Sequence, residues 1–274
     1  MLRGIYTAAS GLNAEMVEQD VVANNIANAN TVGFKKDTAV LEAFPNRLLE
    51  RIHDRMDQPQ SPLPAIVTRT IVSPPLGFMG QGVEAAQTAI QFTPGSVTRT
   101  DQPFDLAIEG KGLFTVQKGD GSIAYTRAGN FTLNSEKDLT TMTGDLVLGL
   151  WNKPIHIDDG QHVVIDTGGQ VKVDGIEAGT LQMVAYDPAH FDKAGDNLYV
   201  RHDDAFEGLD AVGKGMPAGV SVMQGYIEQS NVQVVTEMVH MISLMRAYEQ
   251  NTKAITMQDE SLSQLISGVG TPSA

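Results

Sequence analysis

The chain has 274 residues, 42% of them hydrophobic but only 6% aromatic, and a net charge of −14. That length suits one large or two modest domains with an aliphatic core, and the acidic balance argues against nucleic-acid binding, which calls for a basic face. The absence of cysteine excludes disulfides, thiolate metal sites and a cysteine nucleophile.

MLRGIYTAAS, at the N-terminus, lacks the apolar core of a cleaved secretory signal. No later stretch approaches the roughly 18 apolar residues of a membrane span, so no membrane insertion is predicted. Leu2, Ile5, Ala9, Leu12, Met16, Gln19, Ala23 and Ile26 step by three and four. That spacing predicts an amphipathic helix over 3–29, about 40 Å long at ~1.5 Å per residue, with a narrow seam made to pack on another helix. Asn30, Thr31 and Gly33 supply its stop. Asparagines at 24, 25, 28 and 30 crowd its last turns, although Asn amides compete for backbone hydrogen bonds.

Residues 35–79 read as a proline-rich linker, with a short helix predicted behind Pro45 over 45–58 and extended chain through QPQSPLP and SPPLG. From 80 to 230 the texture becomes β. AIQF stops at Thr93-Pro94-Gly95-Ser96, FDLAIEG precedes LFTVQ, and Lys118-Gly119-Asp120-Gly121 turns into SIAYTRAG. Short runs separated by Gly-rich turns predict an antiparallel sandwich or barrel-like body.

At the C-terminal end, Val234, Met238, Met241, Met245, Tyr248, Thr252, Ile255, Asp259, Leu262 and Ile266 repeat the heptad stepping. A helix over 231–267 would run about 55 Å at ~1.5 Å per residue. Ser230-Asn231 is its predicted N-cap. The fold class is therefore a mainly β body, an antiparallel sandwich or barrel-like, inserted between long N- and C-terminal helices that pair with each other or with those of neighbouring copies. The segments are 1–34, 35–79, 80–230 and 231–274, the last packing with the first.

Catalytic readings are weak. Val163-Val164-Ile165-Asp166-Thr167-Gly168 has the look of an aspartic-protease half-site, but such chemistry needs a second carboxylate to share the proton, and Asp-Thr-Gly is also ordinary turn chemistry. Gly110-Lys111-Gly112 lacks the third glycine and the helix of a dinucleotide site. His156 and His162 flank an acidic loop without a metal-ligand pattern, and the acidic residues at 203, 204, 207 and 210 lack calcium-loop spacing. No enzyme activity, cofactor or metal is predicted.

GIYTAASGLNAEM, DVVANNIANANTVGFKK, FDLAIEGKGLFTV, YTRAGNFTLN and QGYIEQSNVQVVTEMVHMISLMRAYEQNTKAI together strongly resemble the bacterial flagellar basal-body rod and hook family. The resemblance covers about half the chain and is closest to rod proteins, the proximal rod in particular. It implies a structural axial subunit whose terminal helices pair in a helical tube and which leaves the cytosol through the flagellar type III export apparatus without a cleaved signal. Beyond the inner membrane, such subunits polymerise with copies of themselves and with other rod and hook proteins into the drive shaft for motility. A hook or other axial subunit is the alternative, and a secreted adhesin-like module a more distant one.

The polymerisation interface implied in this way comprises Leu2, Ile5, Leu12, Met16, Asn24, Asn25, Ile26 and Asn28, with Val234, Met238, Met241, Met245, Tyr248, Ile255, Leu262 and Ile266. Phe44 and Leu48 fit an aromatic-xxx-aliphatic pattern for recognition by the export gate. Asn24, Asn25 and Asn28 lie on neighbouring rows of one helix side. Amides there would lock register between subunits, because a slipped pairing orphans each at ~1–3 kcal/mol. Lining a water-filled channel or capping a fraying end is the other role open to them.

Overall fold

The computed structural model describes residues 2–43, 47–50, 75–79, 82–158, 162–187, 190–201, 217 and 219–270. Two compact units emerge: Met1–Asp20 with Ala39–Thr88 and Met241–Ala274, and Val21–Thr38 with Ala89–His240.

Helix α1 runs Leu2–Ala27 and helix α2 runs Val234–Gly270. Between them the regular elements among the described residues are short strands, mostly paired antiparallel, and one 3-10 turn at Leu150–Asn152. The early strands are β1 (Lys36–Ala43), β2 (Arg47–Glu50), β3 (Pro75–Met79), β4 (Val83–Gln91) and β5 (Val97–Arg99). Next come β6 (Leu106–Glu109), β7 (Gly112–Gln117), β8 (Ile123–Thr126), β9 (Thr132–Leu133), β10 (Leu139–Thr140), β11 (Leu146–Gly149) and β12 (Lys153–Pro154). The rest are β13 (Val163–Ile165), β14 (Gln170–Val173), β15 (Ile176–Thr180), β16 (Met183–Ala185), β17 (Phe191–Gly195), β18 (Leu198–Arg201), β19 (Ser221–Gln224) and β20 (Tyr226–Glu228).

The largest sheet has the order β17-β18-β8-β7-β11-β10-β9, with β16 also on β7 and β12 on β11. Strand β7 is its spine. GLFTV is buried at every position, because this strand is covered on both faces. Phe114 and Val116 join a cluster with Leu106, Phe131, Leu139, Val147 and Leu181. Leu113, of opposite parity, joins Tyr125, Val184, Phe191 and Tyr199 in a second cluster.

The segment read as a linker carries structure. β1 pairs with β4, and β2 pairs with β3 in the register Leu48↔Phe78. Residues 47–50 are therefore strand and not the start of the helix predicted behind Pro45: each pairs with a partner in 75–79, and a distant strand outweighs local helical preference. The predicted N-cap at Ser230-Asn231 is also displaced, since α2 begins at Val234. The Asn231 side chain instead accepts from Lys36 N at 2.8 Å and donates to Gln91 O at 2.7 Å. The Asp166-Thr167-Gly168-Gly169 stretch is the β13–β14 turn, closed by Gly169 N donating to Asp166 O at 2.8 Å.

Candidate functional site

Two parts of the molecule carry the functional residues: the junction where the chain leaves α1 and enters α2, and the outward faces of those helices.

The junction starts where α1 ends. Asn28 N donates to Asn24 O, Thr31 N to Asn28 O, and the chain then reverses through Gly33 at φ +70. A Cβ on Gly33 would sit 2.4 Å from Ala128 N, so only glycine lets the backbone run this close to the β body. Gly33 N donates to Glu228 O at 2.7 Å, which places the exit of α1 beside the approach to α2.

A three-charge cluster closes this crossing. Lys35, Arg127 and Glu228 have side chains 2%, 7% and 2% exposed. Glu228 Oε1 accepts from Lys35 Nζ at 2.5 Å and from Gly95 N at 2.9 Å, and Oε2 accepts from Arg127 Nε at 2.6 Å. Lys35 also donates to Thr93 O, and Arg127 to the carbonyls of Gly112 and Ile108. Burial alone would raise the Glu228 carboxyl, but the Arg127 charge, the Lys35 contact and the Gly95 N–H outweigh it and hold the acid below its usual range. Burial pulls the Lys35 ammonium down against its bond to Glu228.

Further bonds hold the same crossing. Lys193 Nζ donates to Lys35 O and Asp37 Oδ2, each at 2.7 Å, and stands 4.0 Å over the Phe34 ring. Burial lowers its pKa, countered by Asp37. Lys36 pairs with Glu237 in the first turn of α2. Asn25 is fully buried, donating to Asp37 O at 2.8 Å and accepting from Asp37 N at 2.9 Å. Its amide thus imitates one rung of a β ladder and fastens α1 to β1 inside the chain.

The sequence did not single out Arg127, Lys193 or Glu228. The signal available was a charge within a run of strand character, as in Ala124-Tyr125-Thr126-Arg127 and Tyr226-Ile227-Glu228. Such a charge lies at a position the pleat turns inward, and buried charges are paired.

The interface residues read from the helical stepping divide between two faces. Ile5, Leu12, Ile26, Val234, Met241, Ile255 and Leu262 are half-buried. Met16, Met238, Met245, Tyr248 and Ile266 are exposed. Among the asparagines, Asn24 is exposed, and Asn28 donates to Asn24 O at 2.9 Å while accepting from Thr31 Oγ1. Of Leu2 and Leu48 only the backbone is described, and Phe44 lies outside the described residues.

Polar and small residues also bring α1 and α2 together. Asn251 donates to Glu15 Oε1 at 2.8 Å, Gly11 faces Asn251, and Gly4 faces Gln258. Small and polar groups therefore take part in the helix pairing within the chain. The large apolar groups Val235, Met238, Val239, Ile242 and Met245 are left exposed along α2. Among the described residues no group of three or more metal-ligating side chains occurs, and no helix is long and apolar enough to cross a membrane.

Three family models match the chain. Residues 5–35 match flagella basal body rod protein, 107–173 the D1 domain of flagellar hook protein FlgE/F/G, and 223–268 the C-terminal region of the flagellar basal body rod FlgEFG proteins. The junction lies at the edges of these matches, with Lys35 closing the first and Glu228 inside the last. The flagellar basal-body rod protein FlgG of Borreliella burgdorferi is 34% identical over 269 residues, covering 96% of this chain and 97% of that protein. FlgG of Caulobacter vibrioides is 34% identical, with 95% and 97% covered. The flagellar hook-basal body complex protein FlhO of Bacillus subtilis is 32% identical, with 98% and 99% covered. Identity at this level along nearly the whole of both chains, through helices and β body alike, means that this chain belongs to the flagellar basal-body rod protein family.

Proposed function

We propose that this structural subunit of the flagellar basal-body rod polymerises through the outward faces of its terminal helices. The observation that carries this reading is the division of labour on α2, where Leu244 is buried while Val235, Met238, Val239, Ile242 and Met245 are exposed. Full burial of such a side chain is worth about 1.5–3 kcal/mol, so burying the exposed half of five of them against neighbouring copies would contribute several kcal/mol. Contacts between unlike faces propagate as a helical polymer unless a rotation closes them.

Met16, Asn24 and Ile266 extend the proposed interface, and Asn25 serves it indirectly by fixing α1 to β1. The junction fastens the last turn of α1 and the first turn of α2 to the strands beside them. Copies of this chain and other rod and hook proteins are the partners, and the basal body is the location. Phe44 and Leu48 remain the candidate element for the export apparatus. The subunit works as a structural element without catalysis or cofactor.

Ile242→Glu with Met245→Glu tests the interface. Both side chains are about half-covered, so the purified variant should remain folded with a loss of about 1–2 kcal/mol against the parent. Its incorporation into basal bodies, and motility, should be lost. Motility at the parental level would refute the reading.

A further inference from the structure

Helix α1 carries two seams. The inner one faces α2 of the same chain, with Gly4 at Gln258 and both Gly11 and Glu15 at Asn251. The outer one is Tyr6, Ala9, Asn13, Met16 and Asp20, spaced by three and four, and each of these is exposed. A stripe in heptad register is suited to lie along another helix. Asp20 forms no ion pair among the described residues.

Helix α2 bears an exposed stripe of the same spacing, Arg246, Gln250, Lys253, Met257 and Glu260, and it supplies the cations. Arg246 and Lys253 are the only arginine and lysine in α2, and neither is ion-paired among the described residues. They stand on one side of the helix, ~10.5 Å apart along its axis.

Direction and charge select how the stripes mesh. Gly4 meets Gln258 and Gly11 meets Asn251, so α1 and α2 run antiparallel within a copy. Copies related by a screw along the helices keep that opposition, so α1 of one copy also meets α2 of the next antiparallel. The stripes then engage only in steps of one heptad. Asp20 opposite Lys253 leaves Arg246 without an acid, and Asp20 opposite Val239 sets a carboxylate on an apolar side chain. Asp20 opposite Arg246 satisfies the whole stripe. Lys253 then faces the Asn13 amide oxygen, Glu260 faces the Tyr6 hydroxyl, and the small Ala9 leaves room for the exposed Met257.

We infer that the outer seam of α1 packs antiparallel on the Arg246–Glu260 stripe of α2 in a second copy, with Asp20 paired to Arg246. The contact joins unlike faces, so it repeats from copy to copy. It rests on the reading of helical-face polymerisation above and deepens it by naming the occupant and the register.

The cysteine-free chain lets the register be read directly. Ala9→Cys is combined with Met257→Cys, or one heptad to either side with Gln250→Cys or Gln264→Cys. Basal bodies are isolated, mildly oxidised and run on non-reducing gels. The pair with Met257→Cys should give dimers and higher multiples several-fold above the two shifted pairs. Separately, Asp20→Arg and Arg246→Asp should each lower incorporation into basal bodies several-fold, and the two together should restore most of it. Equal or greater yield from a shifted pair overturns the contact, as do basal bodies that hold the chain without multiples. So does a double exchange no better than the single ones. Where a cysteine pair keeps the chain out of basal bodies, the charge exchange alone decides. Asp20→Arg incorporated at the parental level sinks this contact only, whereas absence of the unsubstituted chain from basal bodies sinks the assembly reading with it.

Discussion

Glu228→Gln probes the junction with almost no change of shape. In the parent, three donors converge on the carboxylate: Lys35 Nζ at 2.5 Å, Arg127 Nε at 2.6 Å and Gly95 N at 2.9 Å. The amide keeps one oxygen to accept, presents an N–H where an acceptor stood, and leaves two buried cations without their anion. Removing one partner of a buried ion pair costs about 3–5 kcal/mol, a large share of the ~5–15 kcal/mol that holds a domain together. Urea unfolding of the purified full chain, followed by far-ultraviolet circular dichroism, should show a loss of that size at neutral pH. The sign with pH follows from linkage. The Glu228 pKa is depressed in the fold, so its contribution is complete above the unfolded value of about 4.5 and disappears as pH falls through the lower folded value. Parent and variant should therefore converge in acid, where the parent carboxyl also becomes protonated. A neutral-pH difference within about 0.5 kcal/mol, or one that persists unchanged in acid, would refute the reasoning.

Gly33 and Gly121 form a matched pair, with φ of +70 and +85. An alanine Cβ at 33 would meet Ala128 N at 2.4 Å, whereas nothing lies within 4 Å at 121. Gly121→Ala should cost only the ~1–2 kcal/mol of a left-handed residue, and Gly33→Ala at least about 3 kcal/mol, both read from denaturant midpoints. His156 Nδ1 lies 2.8 Å from Asp138 Oδ1, and that bond raises its pKa above 6.5. Its imidazole should titrate above that value by NMR and return toward it in Asp138→Asn.

Both terminal helices were legible because a period of three and four repeated over seven or more turns survives without any knowledge of partners. Their contact faces were less so. Stepping by the largest side chains selects the apolar stripe, but the pairing within the chain also uses Gly4, Gly11, Asn251 and Gln258, which no hydrophobicity pattern marks. Turns such as Asp166–Gly169 carried their own chemistry and were readable. Strands β1 to β3 were not, since they fall within residues 35–79, whose proline content suggested only extended chain. The charge cluster was out of reach for a related reason: Glu228 meets Lys35 across 193 residues and Arg127 across 101. Nothing local in Lys35 says that its partner lies just before the other helix.

The make-up of the α1–α2 pairing bears on what the helices do before assembly. Glu15 spends one carboxylate oxygen on Asn251, while its Oε2 is buried without a hydrogen bond, as is Gln258 Oε1 opposite Gly4. Each orphaned group costs about 1–3 kcal/mol. Apolar residues of the two helices such as Ile5, Leu12, Ile255 and Leu262 are only half-buried, so the helix pairing is weak beside the β body, with its Phe114, Leu113 and Tyr199 fully buried. Amides of 3–20 and 245–267 should then exchange with solvent far faster in the dilute monomer than those of β7 and β8, and gain protection on assembly. Gln258→Met removes one orphan and adds apolar contact over Gly4; it should slow exchange in the monomer several-fold without touching the outward stripe. Because it strengthens the pairing that competes with docking on a neighbour, polymerisation should also slow. Helices in the parent monomer as protected as β7, or a Gln258→Met chain with unchanged exchange, would show that α1 and α2 are already settled partners within one subunit.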